Sequence, residues 1–230
     1  MGDLKDYVAL KQKFGVKSLT DLNPKNDKKR AQFYDGLIEL ANLCEVDMGF
    51  EWNLWAEQIQ AFSIPEEIEV SRKELEENFK KIRTSALISK SYSKLAMGTL
   101  HAMNVLGFEF VDRIVGGEQA EVIQKIQETL AIVDQIRFDQ MVFDADLKTA
   151  YLDFQYQLAT MDEALNEGVV KGCVVDACGF DRVGFEEEVE GIISGSQNIT
   201  TGLKKLKSDF SSVVQGGANA STGAPVHGKL

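Results

Sequence analysis

The chain has 230 residues, of which 44% are hydrophobic and 27% charged, and its formal net charge is −11. That size is enough to bury a core. The acidic balance argues against general binding to nucleic acid or anionic lipid, which needs basic surface to neutralise phosphates.

Only three prolines occur, Pro24, Pro65 and Pro225. Long proline-free stretches permit long helices, because proline removes a backbone donor and clashes with the preceding turn. The cysteines, Cys44, Cys173 and Cys178, are few and odd in number, so no disulfide framework is expected. Residues 173 and 178 also lack the two-residue spacing of a zinc or redox pair, and the three thiols are read as small buried hydrophobes. The first residues, MGDLKDYVALKQKFG, bring in acid at once and have no apolar stretch, so no secretory signal is expected. No uncharged run approaches the ~20 residues of a membrane span. These readings make a soluble, cytoplasmic protein the expectation, with secretion by a route without a signal peptide left open.

In chain order, Asp3 to Phe14 is a short amphipathic helix candidate ended by Gly15, followed by a turn at Asn23-Pro24. Apolar residues then recur at Phe33, Leu37, Leu40, Cys44, Met48, Trp55, Ile59 and Phe62, mostly three or four apart. That spacing predicts helix, weakened at Gly36 and Gly49. Trp52 and Trp55 share a face and are expected to fill a wide part of the core.

The clearest start signal is Ser63-Ile64-Pro65-Glu66-Glu67: a capping serine, a first-turn proline and two dipole-complementing acids. The helix after it is predicted to run to about Val115. One seam position holds Ile68, Leu75, Ile82, Ser89, Ala96, Met103 and Phe110. The other holds Arg72, Phe79, Ala86, Ser93, Leu100, Gly107 and Ile114. A sustained seven-residue repeat implies coiled-coil-like pairing, with Leu100 in the buried seam.

Gly116-Gly117 breaks the pattern, and a second long helix is predicted from Glu118 to about Asn166. So short a connection makes the two helices antiparallel neighbours. The second helix is dense in aromatics: Phe138, Phe143, Tyr151, Phe154 and Tyr156. A glycine-rich stretch follows, then a last helix with the stripe Phe185, Val189, Ile192, Ser196, Ile199, Leu203, Leu206, Phe210 and Val213. The expected fold is all-α: one elongated antiparallel helical bundle over 1–215. It comprises a coiled-coil-like hairpin at 65–167, an irregular crossover at 168–184 and a last helix at 185–214. A disordered tail is expected over 216–230.

Motifs for chemistry are missing. His101 and His227 are too few and too far apart for a histidine metal site, and the Glu-x-x-His pairs of di-iron bundles do not occur. No phosphate-binding glycine loop or dinucleotide fingerprint is present. Glu186-Glu187-Glu188 and the Asp144/Asp146 pair read as solvated helix faces or as dipole-complementing first turns. No enzyme activity, cofactor or metal is expected.

The function expected is a non-enzymatic interaction or scaffold protein. It would act through extended helix faces on a protein partner or on a second copy of itself. Ser63, Pro65, Gly116, Gly117 and Leu100 are the structural residues on which the reading leans. The layout of long helices also resembles α-helical pore-forming toxins. That resemblance implies a membrane-seeking segment at 95–108, with Leu95, Leu100, Met103, Val105, Leu106 and Phe108. His101 and Asn104 interrupt this run, and Glu109 and Asp112 follow it. A BAR-type crescent would need a basic concave face, and the dense basic sets are only Lys25/Lys28/Lys29/Arg30 and Lys204/Lys205/Lys207.

Overall fold

A computed structural model describes residues 35–39, 41–42, 46, 48–61, 69–115, 117, 119–167 and 180–221. After a short helical stretch within 35–42 come α1 (Phe50–Gln60), α2 (Glu69–Val115), α3 (Gln119–Glu167) and α4 (Arg182–Ser221). Among the described residues there is no strand. The fold is an all-α bundle, as the periodicity predicts.

α2 and α3 have 47 and 49 residues, each about 70 Å long at about 1.5 Å per residue. Asn78 reaches Gln157, Ser89 reaches Asp144 and Arg113 reaches Glu121. One residue number rises as the other falls, so the pair is antiparallel. The turn is made at Gly117, whose φ of 92° is the left-handed region open to glycine. Its N–H donates to the Ile114 carbonyl at 3.1 Å, satisfying one of the last orphan acceptors of α2. At this tip the Glu121 carboxylate accepts from Lys125 at 2.9 Å and Arg113 at 3.2 Å. Those bonds, Lys125 first, hold its carboxyl below the usual carboxylate range. Ser63, Pro65, Gly116, Cys44, Cys173 and Cys178 lie outside the described residues.

α4 lies along the groove of the hairpin, parallel to α2 and antiparallel to α3. Lys90 pairs with Glu188 and Leu100 meets Gly202, while Lys207 pairs with Asp134. Its stripe is buried as predicted at Phe185, Val189, Ile192, Ser196, Leu203, Leu206 and Phe210, with Ile199 and Val213 half-buried. The helix starts earlier than the apolar pattern does. Asp181 caps it, accepting from Gly184 N at 2.9 Å. It also continues to Ser221, past the expected end at 214 and into the stretch expected to be a disordered tail. The signal for that end was the loss of apolar residues after Val214, which marks the end of packing rather than of hydrogen bonding.

The core divides in two. Toward the α1 end, Trp52, Trp55, Phe79, Phe154, Phe180 and Phe185 form an aromatic cluster with Leu75, Ile82, Leu147 and Leu158. Trp52 and Trp55 stack edge-on at 5.6 Å, and each meets the Phe185 ring. This is the wide part of the core that the two tryptophans predict. Toward the hairpin tip, the core is Leu95, Met103, Phe110, Val122, Ile126, Val133, Leu203 and Phe210, among others.

Three expectations need correction. The helical run through Phe33 to Phe62 is interrupted at Gly49, where φ is +80° and α1 begins. On α2 the first seam position is buried wherever described, from Leu75 to Phe110. The second is fully buried only at Phe79 and Ala86, and Leu100 is half-buried. The buried face of α2 is instead wider on another side: Ile88, Tyr92, Leu95 and Thr99 are all buried, the first three in one cluster with Leu37, while α4 meets α2 at Lys90, Ser93 and Leu100. On α3 the aromatics split, with Phe143, Tyr151 and Phe154 inside and Phe138 and Tyr156 outside.

Candidate interaction surface

Between the two apolar clusters lies a polar layer. Asp139 is fully buried and accepts from the Tyr92 hydroxyl and from Gln135 Nε2, the latter at 2.6 Å. One turn along α3, Asp144 accepts from Ser89 Oγ and Gln140 Nε2, each at 2.8 Å, and from Ser196 Oγ at 2.5 Å. Asp144 is thus not the solvated carboxylate that its sequence context predicts: it ties α2, α3 and α4 together. The sequence signal was the coincidence of polar Ser89 and Ser196 in otherwise apolar stripes. Asp139 and Asp144 each accept from two or more neighbouring side chains, so the layer is structural in character. Among the described residues no group of three or more His, Cys, Asp or Glu could hold a metal ion, and His101 is exposed on α2.

The unpartnered features are on the outside. Phe138 is 41% exposed, Met141 61%, Leu152 53% and Tyr156 75%. With exposed Ala145 and Lys148 they recur at steps of three and four, which puts them on one outward face of α3. Isolated exposed hydrophobics are ordinary, but a continuous row of them marks a contact face. The row borders an open groove between α3 and α4 with a volume of about 690 Å³. Met141, Leu152, Val189 and Ile193 line its floor and sides, with Glu186 and Glu190 on the α4 rim. Tyr151 also lines it. Burial first, then the Glu186 and Glu190 charges, push the Tyr151 phenol up to about 12, so it serves the groove as a neutral hydroxyl.

The segment 95–108 does not form one hidden apolar unit. Leu95 and Met103 are buried, and Leu100 and Leu106 are half-buried against the tip core. Val105 and Phe108 face outward, Phe108 at 77% exposure, and Met97, about three turns before Phe108, is also exposed. No helix among the described residues is long and apolar enough to cross a membrane. Comparison of the chain with protein-family models, with curated proteins and with solved structures returned no match.

Proposed function

We propose that the protein is a non-enzymatic helical interaction protein, and that the outward face of α3 with the α3/α4 groove receives a helix from a protein partner. The observation that carries this reading is the exposed row Phe138, Met141, Leu152 and Tyr156. Steps of three and four are the anchor spacing of a helix laid in a groove. The rim carboxylates Glu186 and Glu190 favour a partner helix with basic flanks. A photo-crosslinking residue placed at 141 or 152, in an extract of the source cells, should give one shared adduct that is missing when the probe is at exposed position 128. Equal labelling at all three positions would overturn the assignment.

A second reading has its own support in the outward-facing Met97, Val105 and Phe108 of α2. In it the bundle is membrane-active, like the pore-forming toxins it resembles in layout, with 95–108 as the membrane-seeking part. Dye release from liposomes at neutral and mildly acidic pH tests this. No release under either condition removes it.

A further inference from the structure

A different surface, the outward face of α4, carries an inference about self-association. The exposed residues Glu187, Gly191, Ser194, Asn198, Thr201 and Lys205 follow one another at steps of four and three. They therefore form a single stripe pointing away from the hairpin. Two of its properties have no cause within one copy.

The first is its glycines. A glycine inside a helix costs about 1 kcal/mol relative to alanine. Where the bundle needs one, the reason is visible: a Cβ on Gly202 would lie 2.9 Å from Leu100 Cδ2, and one on Gly107 would lie 3.0 Å from the Phe210 ring. At Gly191 and Gly195 a Cβ would meet nothing within 4 Å. Gly191 lies on the stripe and Gly195 at its edge beside the α2/α4 groove; one turn apart, they leave a shallow, bare stretch of helix.

The second is charge. Glu186, Glu187 and Glu190 lie beyond the first turn of α4, which holds no acidic residue, and Lys204 and Lys205 lie far from its last turn, which holds no basic one, so the helix dipole accounts for neither set. Among the described residues, neither Glu187 nor Lys205 takes part in an ion pair. The stripe is thus acidic at one end, small and polar in the middle, and basic at the other. Read backwards, it complements itself.

We propose that α4 pairs with α4 of a second copy, antiparallel and related by a two-fold axis near Ser196. Glu187 of each copy then faces Lys205 of the other, Gly191 faces Thr201, and Ser194 faces Asn198. The bare stretch at Gly191 and Gly195 lets the two backbones approach closely. This inference rests on the broader reading that exposed helix faces of the bundle bind protein, but it uses a different face from the α3 row. The two ion pairs are solvated, so the association is salt-sensitive, with screening over about 8 Å at physiological ionic strength.

The test is a charge swap on the full chain, read by equilibrium sedimentation at about 100 μM and below. Wild type should dimerise. Glu187→Lys and Lys205→Glu should each weaken their own homodimer by about tenfold or more, since each places two like-charge pairs across the axis. Mixing the two variants should restore dimer as a heterodimer, because every facing pair is then opposite in charge. Both positions are exposed, so unchanged far-ultraviolet circular dichroism checks that the fold persists. A monomeric wild type, homodimers unaffected by either substitution, or failure of the mixture to recover would overturn the pairing. Met141→Asp with Leu152→Asp should leave this dimer intact. If that pair dissolves it and the charge swaps do not, self-association runs through α3: this inference falls and the α3 reading stands.

Discussion

Asp144 illustrates how a single residue acquires a role that its neighbours in sequence do not suggest. It sits in a charged stretch with Asp146, yet Ser89, Gln140 and Ser196 all donate to it from three helices. Removing the acceptor strands those donors in a partly buried site. Asp144→Ala is therefore expected to cost about 2–4 kcal/mol in urea unfolding, far more than removal of an exposed carboxylate such as Asp153. Tyr151 gives a second prediction. Its phenol is raised from 10 to about 12. A group whose folded pKa is raised stabilises the fold fully below its unfolded value and loses that contribution as pH climbs through the folded one. Stability should thus fall between about pH 10 and pH 12, and Tyr151→Phe should remove that part of the loss. Ultraviolet titration of the tyrosines should show a late-ionising phenol that is absent from Tyr151→Phe.

At the scale of elements, the heptad pattern of α2 was legible because the first seam position is apolar or small at every step. What it could not convey was a second partner. Leu100 belongs to the seam by spacing, yet it meets α4 at Gly202 and keeps some exposure. A charge placed there can reach water. Leu100→Asp is expected to cost about 1–3 kcal/mol, whereas Leu95→Asp, at a fully buried position, should cost about 4 kcal/mol or more. Equal effects in chemical denaturation would contradict the half-buried placement of Leu100. The turn was legible because Gly116-Gly117 falls between two strongly periodic stretches; the pair Gly216-Gly217, with no such stretch after it, lies inside α4. Gly117→Pro removes the N–H that meets Ile114 and forbids the positive φ. It should lower the unfolding midpoint and raise amide exchange at the tip while leaving the aromatic cluster protected. The hidden start of α4 at Asp181 depended on one capping bond in a glycine-rich context, which periodicity does not register.

For the whole molecule, the all-α class and the antiparallel hairpin followed from spacing, low proline content and one glycine pair. The outward rows on α3 and α4 did not. An amphipathic pattern names the residues that are apolar, and only packing decides which of them find a neighbour. Phe138 and Tyr156 read like Phe143 and Phe154 until α4 takes one side of α3 and leaves the other open. The two outer faces also differ in kind. That of α3 is apolar, which supports the proposed foreign helix, and that of α4 is polar with opposite charges at its two ends, which supports the proposed self-pairing. The two adjoin at Ser194, which lines the α3/α4 groove and lies on the α4 stripe.

The polar layer between the two cores has a further consequence, for alignment. Two long helices with a seven-residue repeat can slide past one another by one heptad and still bury apolar side chains. In this bundle the short turn at Gly117 ties α3 to α2, so the slip at issue is of α4 along the hairpin; it would carry Ser196 off Asp144 and set that carboxylate against Val189 or Leu203. The layer therefore acts as a registration mark that excludes shifted packings. Replacing it by hydrophobes (Tyr92→Phe, Asp139→Leu, Gln140→Leu and Asp144→Leu together) should leave a bundle that melts no lower than the parent. Its amide resonances, however, should split into several sets, one for each alignment of α4 along the hairpin. A single sharp set would show that the apolar pattern alone fixes the alignment.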